Sequence, residues 1–311
     1  MNGKREPAFV GIDWGSTHRR ACLLDDEGGL LARQHDDQGG MACKGRFEQA
    51  LNDLLAAWPQ ARAELPVVMA GMVGSAMGWQ EVPYVDARTP LRALTAKRVA
   101  VRAAPPGRRW SIVPGLVWRG EGDRVDVMRG EETQLLGALQ LLGSRGEEGC
   151  YVLPGTHSKW AWLHGGTVLR LQTWMTGELF ALLRAHGSLA AAMHAAPQHA
   201  EPDPQAFARG VADAAEGGLS HLLFGARARV VTGAMPAAAA AAYVSGLLIG
   251  SEWHALGRDG AAGPVRVIGE PALAALHARC AAMLGRAVEV LDAQAVQLAA
   301  WRVLAATKEF A

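Results

Sequence analysis

One strand–turn–strand phrase occurs twice in this chain, about one domain apart, and it restricts the fold more tightly than anything else in the sequence. The first copy is FVGIDWGSTHRRACLLDDEG, Phe9 to Gly28; the second is CYVLPGTHSKWAWLHGGTV, Cys150 to Val168. Each opens with an apolar strand and turns at a glycine followed by hydroxyl or imidazole residues, Gly15-Ser16-Thr17 or Gly155-Thr156-His157. Each then runs back as a second strand into a glycine-containing hairpin. Two such hairpins facing each other across a central cleft would clamp a polyphosphate, which points to an ATP-dependent phosphotransferase.

The rest of the chain repeats around these copies. Strands are expected at 8–13, 19–25 and 29–35, then a helix carrying Phe47, Ala50, Leu51, Leu54, Leu55 and Trp58 on one face, then a buried strand at 66–70. Trp110 to Val113 reads as a strand, and a helix follows Gly130 with Leu135, Leu136, Leu139 and Leu142 on one side. Gly143 to Gly149 is the expected junction. Strands near 150–154, 158–164 and 167–171 restart the order, with a helix from Gly177 and an alanine-rich stretch over 190–262. A strand at 265–268, a helix from Pro271, a strand at 288–291 and a last helix from Ala293 complete it. The fold class is therefore α/β, a duplicated β-β-β-α-β-α unit. The expected domains are 1–145 and 146–311, with the last helix free to return to the first.

At 311 residues there is room for two cores. Formal charge is +1 and Lys and Arg are scattered, so no nucleic-acid stripe is present. The four cysteines share no metal-ligand spacing and read as buried thiols. No secretory signal or bilayer-spanning apolar run is found, and a cytoplasmic protein without a membrane partner is expected. Self-association is compatible with the sequence.

Several residues could carry chemistry. Asp13 ends a buried strand, so its carboxylate reaches the mouth of the sheet, where Mg²⁺ needs only one or two carboxylates beside phosphate oxygens. Gly15, Ser16 and Thr17 offer amides and hydroxyls to those oxygens. The opposing turn offers Gly155 and Thr156, with Lys159 as a point charge; His157 is expected to bond locally. Arg129-Gly130-Glu131-Glu132 opens a helix with two acids. They could supply a general base for an attacking hydroxyl, or simply complement the helix dipole. The loop Gly71 to Trp79, with Gly74, Ser75 and Trp79, suits a small polyhydroxylated ligand or serves as a plain connection.

These residues resemble the actin, hexokinase and Hsp70 ATPase superfamily, built on two RNase H-like domains. Within it, IDWGST, AGMVGSAMGW, VMRGEETQLLGA, LPGTHSKW, MTGEL and SGLLIGSE resemble the 2-dehydro-3-deoxygalactonokinase family over nearly the whole chain. The resemblance implies ATP and Mg²⁺, and phosphorylation of 2-dehydro-3-deoxy-D-galactonate at its 6-hydroxyl. It implies that Asp13 serves metal and phosphate, that Gly155 and Thr156 form the second phosphate turn, and that Gly269 abuts adenosine. It also sets Glu131 in the register of the catalytic base, with Asp126 and Glu132 in reserve. A sugar acid's carboxylate calls for a planar cation, and Arg20 and Arg129 lie beside the motifs. His18, Cys22 and Glu270-Pro271 depart from the residues usual in that family. Two other readings are a kinase of a different sugar acid and a nucleotide-gated interaction protein.

Overall fold

A computed structural model describes residues 5–58, 64–194, 202–259 and 265–306. Contacts along the chain group it into two units. The first is Met1–Glu148, Ala161–Leu171 and Ala293–Ala311; the second is Gly149–Trp160 and Gln172–Asp292.

In the first unit β1 (Pro7–Trp14), β2 (Arg19–Asp25) and β3 (Leu30–Asp36) form an antiparallel meander. Helix α1 (Phe47–Ala56) follows, because Phe47, Ala50, Leu51 and Leu54 fall on one face and all four are buried. β4 (Val67–Gly71) is buried at every residue, the pattern of a strand covered on both faces, and lies parallel to β1. Short β5 (Val85–Asp86) and β6 (Val99–Ala100) precede β7 (Trp110–Ile112), which pairs parallel with β4. The sheet order is β3-β2-β1-β4-β7-β6. β8 (Leu116–Arg119) and β9 (Val125–Met128) join β5 in a small separate sheet. Helix α2 (Glu131–Leu142) starts straight after Gly130.

The second sheet is built from β10 (Gly149–Leu153), β11 (Ser158–His164) and β12 (Thr167–Trp174). Next come α3 (Thr176–Ala185), α4 (Ala190–Met193), α5 (Pro204–Asp213), α6 (Leu219–Val231) and α7 (Ala240–Asp259). The start of α5 is set locally: Pro204 occupies the first turn, and the Asp203 carboxylate accepts from the amides of Gln205 and Ala206. β13 (Val265–Gly269), α8 (Pro271–Met283) and β14 (Val288–Asp292) close the unit. Its order is β12-β11-β10-β13-β14, with β13 parallel to both neighbours.

Without the edge strand β6, the two sheets share one order: third, second, first, fourth, fifth. The duplication is therefore one of sheet topology: each sheet has the RNase H-like strand order that actin-like ATPases carry twice, although Ala161–Leu171 of β11 and β12 group with the first unit. The units differ in their inserts. Where the first has α1 between its third and fourth strands, the second has α3 to α7.

The last helix, α9 (Ala293–Ala305), counts with the first unit. Two glycines let it approach closely. A Cβ on Gly137 of α2 would lie 2.0 Å from the Val296 carbonyl oxygen, and one on Gly11 of β1 would lie 2.4 Å from the buried Trp301 ring. Among the described residues, no helix is long and apolar enough to cross a membrane.

Candidate active site

In the first unit three separated motifs meet at one place. β1 and β4 end side by side, with Asp13 opposite Ala70 and Trp14 opposite Gly71. Gly71 leaves the strand at φ 93°, and a Cβ there would sit 2.8 Å from the Trp14 carbonyl oxygen and 3.4 Å from Asp13 Oδ1. Gly130, at φ 114°, lies against it: its Cβ position is 3.3 Å from Gly71 Cα. The start of α2 is thereby brought onto the strand ends that present Asp13. The Asp13 side chain is 14% exposed, and its Oδ2 accepts from Arg20 Nη1 at 3.3 Å. Burial raises its pKa; the Arg20 charge and hydrogen bond oppose that rise.

The turn after Asp13 is closed from within. Gly15 N–H donates to the His18 carbonyl (3.0 Å), while the amides of Gly39, Gly40 and Met41 donate to the carbonyls of Thr17, Gly15 and Ser16. A Cβ on Gly39 would lie 2.3 Å from the Thr17 carbonyl carbon, so this loop props the turn closely. The carbonyls are thus bound underneath. Among the described residues no acceptor takes the Ser16 or Thr17 amide, and both residues are exposed. Donors for an anion therefore come from Ser16 and Thr17, whereas the Gly15 amide is already engaged.

At the head of α2, Glu131 Oε2 accepts from the Arg129 amide (3.0 Å) and Glu132 Oε2 from the Gly130 amide (2.7 Å). Glu131 is half-buried. Glu132 is fully buried, and that burial, with the Glu131 charge second, pushes its pKa up to about 8. Asp126 lies on β9, where Oδ1 accepts from the neighbouring Val127 amide (2.7 Å). The Arg129 guanidinium lies over the Tyr84 ring at 4.2 Å and donates from Nη2 to the Val82 carbonyl (2.8 Å). Its Nε and Nη1 are buried without an acceptor among the described residues, and a Cβ on Gly74 would be 2.9 Å from Nη1. Ser75 Oγ donates to the Met72 carbonyl (2.8 Å), holding the loop's turn. Trp79 stacks on Phe47 at 6.2 Å and leans on Trp110 at 5.7 Å, so most of its ring serves the core.

The second unit seats its turn on the head of α3. A Cβ on Gly177 would lie 2.4 Å from the Gly155 carbonyl oxygen and 2.8 Å from Thr156 Cα, and the Glu178 amide donates to the Thr156 carbonyl (2.9 Å). His157 bonds locally, its Nε2 2.5 Å from Glu178 Oε2. Beneath the turn, Glu252 of α7 is fully buried. Its Oε2 accepts from Ser158 Oγ (2.7 Å) and Trp160 Nε1 (2.6 Å), and its Oε1 accepts from Thr176 Oγ1. Burial pushes its pKa up to about 7, and those donors hold it from rising further. Lys159 points to the other face of the strand. It is 7% exposed, and Nζ donates to Thr173 Oγ1 on β12 at 2.9 Å. Gly269 ends β13 against Pro154, with its Cβ position 3.2 Å from Pro154 Cδ.

A cavity of about 710 Å³ opens within this unit over Gly155, Thr156 and Thr176. Its walls include Ala238, Ala239, Ala241 and Ala242, from the alanine run that carried no chemical signal in the sequence. The signal was the small size of those side chains, which leaves space beside a buried helix. Glu252 was also missed. Among the described residues, no group of three or more His, Cys, Asp or Glu side chains could hold a metal ion.

The sequence profile described as 2-keto-3-deoxy-galactonokinase matches residues 13–303. The chain is 35% identical over 289 residues to "Probable 2-dehydro-3-deoxygalactonokinase DgoK1" of Rhizobium meliloti (strain 1021), covering 92% of each. It is 36% identical over 245 residues to the 2-dehydro-3-deoxygalactonokinase of Escherichia coli (strain K12), covering 78% of each. A crystal structure from Sinorhizobium meliloti, of a protein assigned as a 2-dehydro-3-deoxygalactonokinase, superposes with a TM-score of 0.87 at 33% identity. That match covers 96% of this chain and 98% of the other.

Proposed function

The chain belongs to the 2-keto-3-deoxy-galactonokinase family, and from that membership we infer that it transfers the γ-phosphoryl group of ATP to the 6-hydroxyl of 2-dehydro-3-deoxy-D-galactonate. The match across residues 13–303 carries this reading. The four cysteines, none of them in a disulfide among the described residues, fit a reducing cytoplasm as its setting.

Phosphoryl transfer asks a protein chiefly for positioning and charge stabilisation. Ser16 and Thr17 in one unit, and Gly155 and Thr156 in the other, are the proposed phosphate contacts, and Gly269 is the proposed adenosine contact. Lys159 is weaker in that role, because it is buried and its Nζ already donates to Thr173. Asp13 fits a magnesium ion that arrives with the nucleotide. Mg²⁺ keeps several waters and takes one or two carboxylates beside phosphate oxygens, so a larger protein cage is not needed. When bound, the ion neutralises charge on the β- and γ-phosphates.

Glu131 is the proposed base. Its rival Glu132, at about 8, holds its proton at neutral pH and cannot accept another. One carboxylate oxygen of Asp126 is already taken by the neighbouring Val127 amide. Arg129 is the better partner for the substrate carboxylate, because two of its guanidinium nitrogens lack acceptors beside Gly74, whereas Arg20 is engaged with Asp13. Gly74 and Ser75 then line the sugar acid, with the Trp79 edge beside them.

A coupled assay of ADP release against a panel of 2-keto-3-deoxy sugar acids tests the reading. Fastest turnover is expected with the galactonate-derived acid. No ADP release with any acid in the panel would overturn it.

A further inference from the structure

Among the polar groups that line the cavity in the second unit, one buried imidazole has a ring nitrogen without a partner among the described residues. His277, on α8, lines the cavity and is fully buried. Its Nδ1 lies 3.3 Å from Trp253 Nε1. An indole N–H can only donate, so Nδ1 is the acceptor and the neutral ring carries its proton on Nε2. That Nε2–H has no acceptor among the described residues. Burying a donor without a partner is unfavourable, and an acceptor on a ligand would relieve it.

The ring is held rigidly in this state. Trp253 sits edge-on against Trp160, with centroids 4.9 Å apart and planes at 79°, and the Trp160 indole is itself bonded to Glu252. Burial drives the His277 pKa down to about 3, so the imidazole stays neutral at working pH and keeps the same tautomer. A neutral ring is a poor phosphate ligand. The walls around it, including Ala238, Ala239, Leu273 and Leu276, are apolar, while Gly155 and Thr156 line the same cavity. Apolar walls, a fixed donor and a phosphate turn together suit a flat heteroaromatic base joined to a phosphate chain, with Arg184, Asp203 and Ser245 as further polar lining.

We propose that His277 reads the nucleobase: its Nε2–H donates to a ring nitrogen of a purine nucleoside triphosphate whose base lies in this cavity. The triphosphate part of this rests on the kinase reading above. Because His277 can only donate there, a base presenting N–H at that position sets donor against donor and is rejected.

The test is isothermal titration of the intact chain with Mg·ATP and with the 1-deaza, 3-deaza and 7-deaza analogues, in the absence of sugar acid. One analogue is expected to bind about 5- to 10-fold more weakly than ATP, the effect of one hydrogen bond. His277→Phe should weaken ATP by a similar factor and abolish the difference between ATP and that analogue, a coupling that loss of packing alone would not produce. His277→Gln, which retains a donor, should recover part of the difference. If His277→Phe does not fold, the analogue series on the unaltered protein decides. Equal affinities across that series overturn the proposal, as does coupling to 2′-deoxy-ATP in place of a deaza analogue. The expected pattern without turnover of any sugar acid would sink the kinase reading and leave this one standing. Failure to bind ATP at all would overturn both.

Discussion

Replacing Glu132 by Gln should flatten the fall in stability with pH. The carboxyl is fully buried at the head of α2, with Oε2 on the Gly130 amide and Oε1 without a partner among the described residues. Its pKa is about 8 against an ordinary 4.5. Between those values the native protein holds a proton that the unfolded chain has released, so stability falls as pH rises and levels off above pH 8. At about 1.4 kcal/mol per pH unit the whole effect is about 5 kcal/mol, of which about 3 kcal/mol falls between pH 6 and pH 9. Glutamine keeps the oxygen on Gly130 and mimics the neutral carboxyl. The stability gap between variant and wild type should therefore widen by about 3 kcal/mol in the variant's favour over that range. Glu252, at about 7, adds a smaller fall of the same sign in the second unit and remains in the variant. Urea unfolding, followed by tryptophan fluorescence and far-ultraviolet circular dichroism from pH 6 to pH 9, measures both. Parallel curves for the two proteins, or a wild type that gains stability toward pH 9, would refute the reasoning.

Glu131→Gln should lower kcat by ~10²–10⁴ while leaving the calorimetric affinity for ATP intact; near-normal turnover would take the base role from Glu131. Arg129→Lys should raise KM for the sugar acid by roughly 10-fold or more and leave KM for ATP alone, because a point charge cannot replace the guanidinium fork; an unchanged KM would return the carboxylate to Arg20. Gly177→Ala puts a methyl group 2.4 Å from the Gly155 carbonyl oxygen, so the turn must shift. It should weaken ATP binding in titration and cost about 1–3 kcal/mol of stability in urea; unchanged ATP affinity would separate that turn from the nucleotide.

The duplicated sheet was legible because alternating apolar residues and glycine turns are local signals, and they recur in both halves. The head of α2 was legible for the same reason: Gly130 and two acids precede an apolar stripe. What escaped notice depends on distant partners. Glu252 sits in the apolar stretch SGLLIGSE, and its donors Ser158, Trp160 and Thr176 lie 94, 92 and 76 residues away. Lys159 beside a glycine turn suggested phosphate, yet strand alternation sends Ser158 toward Glu252 and Lys159 to the opposite face. The Gly15 amide looked available in sequence, and only the hairpin's own closure onto His18 shows that it is taken. The helices α3 to α7 gave no warning of a cavity, since an alanine run reads as simple helix until its neighbours are known.

The return of α9 to the first unit has a consequence for synthesis on the ribosome. Every strand of the second sheet has been translated by Asp292, before the helix carrying Val296 and Trp301 begins. The groove at Gly137 and the bare backbone at Gly11 must wait uncovered until α9 emerges. The first unit thus gains this helix only after the second sheet's strands are made, and a chain terminated at Asp292 would keep those strands while leaving the first unit without α9.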